Sequence, residues 1–147
     1  MQLIDTLVSY PHVEHMASDA FTYPIGVLPG DIDHMGHVNN SVYLKWVQDA
    51  VVKFWESVAP ADAVGSHLWV ALQHQITYRR PAFLEDNVVA DVVANGMAGA
   101  RAMFTTVIKR GEEVLAEVQS TSCCLDSATR RPARLALDVV RRFLPDA

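Results

Sequence analysis

Ten residues in the first third of the chain, Asp31 to Asn40 (DIDHMGHVNN), contain two aspartates, two histidines, two asparagines and one glycine. Groups of these types can bind a calcium ion, a transition metal or a phosphate, or they can act as acid and base. The segment lies directly before a stretch with helical periodicity. Its chemistry therefore has to be judged together with the start of that helix.

Three ligand chemistries fit this decapeptide poorly. An EF-hand loop in this frame would need an oxygen ligand where Met35 stands and a bidentate glutamate where Val42 stands. Phosphate-binding loops contain several glycines and a Lys-Ser or Lys-Thr pair, whereas Gly36 is the single glycine here. His34 and His37 lack the helical i, i+4 spacing of a zinc pair, although a turn could still join them at a metal. We expect no metal site.

A carboxylate just ahead of a helix start remains, and that arrangement has a direct chemical use. The first N–H groups of a helix have no partner within the helix and carry the positive end of its dipole. They can polarise a carbonyl and stabilise the oxyanion that forms when it is attacked. A nearby carboxylate can activate water or attack directly. Residue types alone leave catalysis and turn formation equally open for Asp31 and Asp33.

The composition favours one domain in a reducing compartment. Half of the 147 residues are hydrophobic and the formal net charge is −5, which disfavours nucleic acid as a partner. The start lacks a secretory leader and no apolar run approaches the ~18 residues of a membrane span. The adjacent Cys123 and Cys124 point to opposite faces of a predicted strand, which disfavours a disulfide between them. We therefore expect a cytoplasmic protein without a membrane span.

One local excess of positive charge lies near the C-terminus. It is either a solvated helix face or an attraction for an anionic ligand such as a nucleotide phosphate. It comprises Arg130, Arg131, Arg134, Arg141 and Arg142.

The hydrophobic pattern predicts an α+β domain. A strand over Ala20 to Leu28, a long helix over Ser41 to Ala59 and a strand-rich region over Leu68 to Leu125 precede a short helix over Leu135 to Phe143. Predicted turns at Gly96–Gly99 and at Gly111-Glu112 imply an antiparallel sheet, and helix and sheet must bury their apolar faces on each other. Residues 1–18 show little periodicity and are predicted to form an N-terminal arm before a single domain of residues 19–147.

The decapeptide and the helix after it, DIDHMGHVNNSVYLKWVQDA, resemble the signature of hotdog-fold acyl-CoA thioesterases. The likeness is to the branch that contains 4-hydroxybenzoyl-CoA thioesterase and the Tol–Pal-associated thioesterases. It continues in QITYRRPAFLEDNVVADVV and IKRGEEVLAEVQSTSCCLD and spans about residues 20–143. It implies a hotdog fold, in which an antiparallel sheet of about five strands wraps around the long helix, plus a short C-terminal helix. Its motif positions are occupied by Asp31, Asp33, Gly36, Tyr43 and Trp46.

The resemblance implies a thioester hydrolase without a cofactor. Asp33 would act as general base or nucleophile, and the backbone N–H of Asn40 would polarise the thioester carbonyl. His37 matches a histidine of the plant acyl-carrier-protein thioesterases, but their asparagine position is Met35 here. The role of His37 is therefore open between the active site and the turn. Asp49 matches a frequent acidic position of the family, and it could equally pair with a lysine on the helix.

The substrate implied by the resemblance is an acyl-CoA or an acyl-carrier-protein thioester. It would bind where two subunits join their sheets side by side, in a homodimer or in a tetramer of dimers. Two other functions remain open: an enoyl-thioester hydratase or dehydratase that uses Asp33 and His37, and a non-catalytic acyl-CoA-binding protein. The residues expected around the substrate are Gly36, Asn39, Tyr43 and Trp46.

Overall fold

The computed structural model describes residues 20–147, so the predicted N-terminal arm of residues 1–18 lies outside the described residues. Five strands and three α-helices follow one another in the described chain. A 3₁₀ turn at Pro29–Asp31 lies between the first strand and the long helix. In chain order the elements are β1 (Phe21–Ile25), α1 (Val42–Val58), α2 (Ala61–Ser66), β2 (His67–Tyr78), β3 (Val88–Ala98), β4 (Arg101–Arg110), β5 (Glu113–Asp126) and α3 (Leu137–Phe143).

The strands form one sheet in the order β1-β3-β4-β5-β2, and every neighbouring pair is antiparallel. This arrangement confirms the predicted α+β class and the predicted sheet of about five strands. The short connections β3–β4 and β4–β5 are hairpins, as expected for strands that follow each other closely in sequence. The long β2–β3 connection carries the chain from one edge of the sheet to the strand beside the other edge.

The turn predicted at Gly96–Gly99 is shorter than expected. Strand β3 continues to Ala98, which pairs with Arg101, so only Gly99 and Ala100 form the turn. Gly96 lies inside the strand at a register shift opposite Met103, where a Cβ would lie 3.4 Å from the methionine methyl group. A glycine within a strand often marks such a bulge, and its local sequence signal is the same as that of a turn.

One face of α1 packs against the inner face of the sheet. Small side chains on the sheet, including Ala90 and Ala116, are completely buried and leave space for the bulky residues of the helix. This packing confirms the prediction that the sheet wraps around the long helix. The buried residues of α1 are Tyr43, Trp46, Val47, Ala50, Val51 and Trp55.

The sequence did not predict α2, which has only six residues and is too short to show a period. Pro60 ends the long helix, as predicted, and is also the N-cap residue of α2. Among the residues that the structure describes, no helix has the length and apolar character needed to cross a membrane.

His74 on β2 is partly buried beside Ser120 of the neighbouring strand β5. Its Nδ1 lies 2.7 Å from the hydroxyl oxygen of Ser120, while its Nε2 is buried without a partner in the described part of the chain. Burial lowers the pKa of His74, because a charged imidazole would lose its hydration there. The surroundings of the histidine therefore favour the neutral imidazole.

A matched pair of substitutions on α1 tests the packing. Val47 is 0% exposed and faces the sheet, whereas Val52 is 40% exposed. We expect Val47→Ala to lower the free energy of unfolding by about 2 kcal/mol, because two buried methyl groups are lost and a cavity remains. Val52→Ala should change it by less than about 0.5 kcal/mol. Urea denaturation of both variants measures the difference, and equal effects would contradict this helix orientation.

Candidate active site

The decapeptide folds into a short two-stranded ribbon before α1. Ile32 pairs with Val38 in an antiparallel bridge. On one side of the bridge the Asp33 N–H donates to the His37 carbonyl at 3.0 Å, and on the other the Asn39 N–H donates to the Asp31 carbonyl at 2.8 Å. The ribbon thus brings Asp33 back beside the residues that start the helix.

The alternation of side chains along this ribbon explains the density of polar groups. Val38 is 1% exposed and belongs to the core, and Ile32, which lies opposite it, packs against the core as well. Neighbouring residues in an extended segment point to opposite sides. The other side of the ribbon therefore carries the polar residues, which are Asp31, Asp33, His37 and Asn39.

The two aspartates have different surroundings. The Oδ2 atom of Asp31 accepts the Leu28 N–H at 2.8 Å, so this side chain closes the 3₁₀ turn. The Oδ1 atom of Asp33 accepts the Met35 N–H at 2.9 Å, while its Oδ2 accepts no hydrogen bond from the described residues. Asp33 is therefore held by one oxygen and offers the other to a bound molecule.

Gly36 closes the tip of the ribbon. Its N–H donates to the Asp33 carbonyl at 3.0 Å, and its φ of 86° lies in the left-handed region that favours glycine. A Cβ at this position would meet no atom within 4 Å. The glycine is thus required by the backbone conformation of the turn, and the space beside it is open.

The start of α1 leaves one backbone donor free. From Val38 to Tyr43 every N–H of the described chain donates to an acceptor, with the exception of Asn40. The Asn39 carbonyl accepts the Val42 N–H at 3.0 Å and so points into the helix. Because N–H and C=O point in opposite directions across a trans peptide, the Asn40 N–H points out of the helix start. This is the geometry of a donor that can bind an oxyanion.

Asn39 satisfies the neighbouring donor. Its Oδ1 accepts both the N–H and the hydroxyl of Ser41, each at 3.0 Å. This is the local turn-forming bond that asparagine commonly makes. The Asn39 side chain, which was predicted to lie at the substrate, therefore uses its oxygen to hold the helix start.

Tyr43 and Trp46, which were predicted to line the substrate site, lie in the core at 1% and 4% exposure. Their rings are 4.9 Å apart between centroids. Burial raises the pKa of the Tyr43 hydroxyl, and a hydrogen bond from the Ala82 backbone opposes that effect. In the described chain these two residues pack in the core at the beginning of α1.

The β2–β3 connection contacts the site, and the sequence did not reveal this. The Val38 N–H donates to the Ala82 carbonyl at 2.8 Å, and the Tyr78 hydroxyl donates to the Asn40 carbonyl at 2.8 Å. The ring of Phe83 lies edge-on to the ring of His37, with 6.4 Å between centroids. The residues involved are about forty positions apart in sequence, so no local pattern connects them.

The side chains of two of the five arginines near the C-terminus donate hydrogen bonds to backbone carbonyls. Arg142 donates to the Val58 carbonyl at 3.4 Å and Arg141 to the Ala147 carbonyl at 2.9 Å, and these bonds fasten α3. Arg130 and Arg131 lie exposed in the turn after β5. No group of three or more histidine, cysteine, aspartate or glutamate side chains that could hold a metal ion occurs within residues 20–147.

An antiparallel sheet of five strands wrapped around one long helix is a hotdog-type fold. Residues 27–143 match the family model of the Thioesterase-like superfamily, so the chain belongs to this superfamily. The protein is therefore a thioester hydrolase, and the predicted resemblance is confirmed. No curated protein matches the chain significantly.

Solved structures share the fold. A Thermus thermophilus thioesterase complexed with coenzyme A and zinc is 24% identical, with a TM-score of 0.72, and the match covers 83% of this chain and 95% of that one. A 1,4-dihydroxy-2-naphthoyl-CoA thioesterase from Synechocystis is 21% identical, with a TM-score of 0.69 and coverage of 85% and 96%. A Staphylococcus aureus protein in complex with CoA is 16% identical, with a TM-score of 0.76 and coverage of 86% and 82%.

Replacing Gly36 tests the conformation of the ribbon tip. We expect Gly36→Ala to lower the free energy of unfolding by about 1–2 kcal/mol, because alanine in the left-handed region brings its Cβ too close to the following carbonyl oxygen. Gly26→Ala is the matched control, since Gly26 also has open space around it but no positive φ. Thermal denaturation compares the two, and an equal or larger loss at Gly26 would contradict the assignment.

Proposed function

We propose that the protein is an acyl-CoA thioesterase in which Asp33 and the Asn40 N–H act on the thioester. One observation carries this proposal. Among the described residues, the N–H at the start of α1 that has no acceptor, that of Asn40, is joined through a short ribbon to a carboxylate with an oxygen that accepts no bond from these residues. Membership of the Thioesterase-like superfamily makes a thioester the natural substrate.

The reaction follows from the roles of these two groups. The Asn40 N–H binds the carbonyl oxygen of the thioester, and the free oxygen of Asp33 takes a proton from water as that water adds to the carbonyl carbon. The negative charge on the former carbonyl oxygen is held by the same N–H. When the tetrahedral intermediate collapses, the C–S bond breaks and the leaving thiolate receives the proton from Asp33. The products are a free acid and CoA.

Direct attack by Asp33 is the second course open to the same geometry. The carboxylate would form a mixed anhydride and expel the thiolate, and water would then open the anhydride. Single turnover in ¹⁸O-labelled water identifies the covalent course when water attacks the anhydride at the Asp33 carbonyl. Attack of water at the acyl carbonyl carries the label into the acid in both, but attack at the Asp33 carbonyl leaves it in the enzyme.

The proposed substrate is an acyl-CoA, and the proposed reaction needs no cofactor. Two of the compared structures were solved with CoA, one from Thermus thermophilus and one from Staphylococcus aureus. Their fold is shared over more than four fifths of this chain. Cys123 and Cys124 are both free and buried, which agrees with a protein that works in the reducing cytoplasm. An acyl-carrier-protein thioester presents the same pantetheine arm and is the other substrate of this class.

In a homodimer, the β2 edges of two copies would pair and join their sheets side by side. The same dimer would be the minimal unit of a tetramer of dimers. Strand β2 is twelve residues long and forms one edge, with exposed Leu68, Val70 and Leu72. Long apolar edge strands tend to pair with another chain. The opposite edge, β1, has only five residues and includes Pro24, which has no N–H to donate. The β2 edge is therefore the better surface for a second copy.

The test of the catalytic assignment is Asp33→Asn. We expect kcat for thiol release from acyl- and aroyl-CoA substrates to fall by about 100- to 10,000-fold, because the amide cannot accept a proton from water. Asp49→Asn tests the rival carboxylate, the exposed acidic position on α1 that matches the family, and under this proposal it should keep wild-type activity.

Circular dichroism confirms that both variants are folded before their rates are compared. Full activity of a folded Asp33→Asn protein would refute the assignment. Loss of activity in Asp49→Asn alone would assign the catalytic carboxylate to Asp49 on α1 instead. Incubation with crotonyl-CoA provides a further check, because hydration of the double bond without thiol release would identify a hydratase instead.

Replacing an apolar residue of the β2 edge tests the dimer. We expect Val70→Lys to shift the molecular mass measured by light scattering from dimer to monomer, because a charge on the apolar β2 edge would have to lose its hydration when two edges pair. Leu137→Lys makes the same kind of change at an exposed site on α3 and should leave the mass unchanged. A wild-type protein that is monomeric at micromolar concentration would contradict this proposal.

A further inference from the structure

We propose that the Tyr78 hydroxyl positions the start of α1, so that the Asn40 N–H keeps the orientation that binds the thioester oxygen. This inference rests on the proposed function and adds a residue to it. Tyr78 is a positioning residue, since it acts through the Asn40 backbone and does not itself bind the substrate. Three features of the described structure support this role of Tyr78.

The first feature is the weakness of the helix's own bond at this point. The Asn40 carbonyl accepts the Tyr43 N–H at 3.3 Å, which is longer than the usual 2.9–3.0 Å. The same carbonyl accepts the Tyr78 hydroxyl at 2.8 Å, a normal length for an O–H donor. At the Asn40 carbonyl, the hydrogen bond from the tyrosine of β2 is therefore shorter than the bond from the first turn of α1.

The second feature is the small number of bonds that hold the two peptides flanking the Asn40 Cα. The preceding peptide carries the Asn40 N–H, and among the described residues it is held by the Val42 N–H, which donates to the Asn39 carbonyl. The following peptide is held by the Ser41 N–H, which donates to Asn39 Oδ1, and at its carbonyl by Tyr78. Without the tyrosine hydroxyl the Asn40 carbonyl would lose its bond to β2, so the helix start, and the Asn40 N–H with it, would be free to shift relative to the sheet.

The third feature is the fixed position of Tyr78 itself. Its ring stands perpendicular to the ring of Tyr43, with 5.2 Å between centroids, an arrangement that aromatic pairs prefer. The loop that follows Tyr78 is held by Arg110, which donates to the Pro81 carbonyl at 3.1 Å and to Asp86 Oδ2 at 2.6 Å. The hydroxyl is thus presented to Asn40 from a part of the sheet that is independently anchored.

The experiment is Tyr78→Phe, which keeps the ring and removes the hydroxyl. We expect kcat for thiol release to fall about two- to tenfold, the factor that corresponds to the net contribution of one hydrogen bond. KM should stay within twofold, because the bond from the Asn40 N–H strengthens mainly when the carbonyl oxygen becomes an oxyanion in the transition state. Hydrogen exchange at residues 40–43 should become faster in the variant, since the helix start loses a bond.

Tyr23→Phe on β1 is the matched control and should leave kcat, KM and exchange at residues 40–43 unchanged. A wild-type kcat in Tyr78→Phe would overturn the proposal. So would a raised KM with unchanged kcat, because that result would make Tyr78 an ordinary substrate contact. An equal loss in Tyr23→Phe would overturn it as well, by showing a general effect of losing a tyrosine hydroxyl.

The outcome is separable from that of the proposed function. If Asp33→Asn is inactive and Tyr78→Phe is fully active, the catalytic assignment stands and only the positioning role is wrong. If a folded Asp33→Asn is fully active, the catalytic assignment itself is wrong. Unchanged exchange at residues 40–43 in Tyr78→Phe overturns the structural part of the inference whichever way the rates fall.

Discussion

The burial of one face of α1 against the sheet is the constraint on which the rest of the structure depends. Tyr43, Val47 and Trp55 span the length of the helix and are all in the core. A helix fixed along its whole length cannot slide or turn without exposing this apolar surface. Its first turn is therefore held at a defined place beside the ribbon. The positions of the residues in the candidate site depend on that placement.

Given a fixed helix, the chemistry depends on how the first N–H groups are satisfied. Each α-helix begins with four backbone donors that lack partners within the helix. Here Asn39 and the ribbon occupy the donors around Asn40 and leave that one open. A fully capped helix start would be slightly more stable and would offer nothing to a ligand. The arrangement thus gives up one hydrogen bond at the position where a carbonyl oxygen has to be bound.

Local pattern was sufficient to predict much of the fold and part of the site. The period of α1 and the turn at Gly111 are set by neighbouring residues, and the structure confirms both. Asp33 was singled out as a catalytic candidate because it lies within a few residues of the helix start, and its role stays a prediction. The misplaced turn at Gly96 shows the limit, since a glycine that serves a bulge and one that serves a turn look alike in sequence. The contact of Tyr78 with Asn40 spans 38 positions and depends on the path of the sheet, which no local pattern contains.

The free donor at residue 40 belongs to the main chain and not to a side chain. Any residue except proline supplies an N–H there, so the amino-acid type at this position can drift among related proteins without removing the donor. What has to be inherited is the path of the backbone, which Gly36, Val38 and the packed face of α1 determine together. Comparison of side chains at matching positions would therefore overlook this group in distant relatives, whereas superposition of their helix starts would find it.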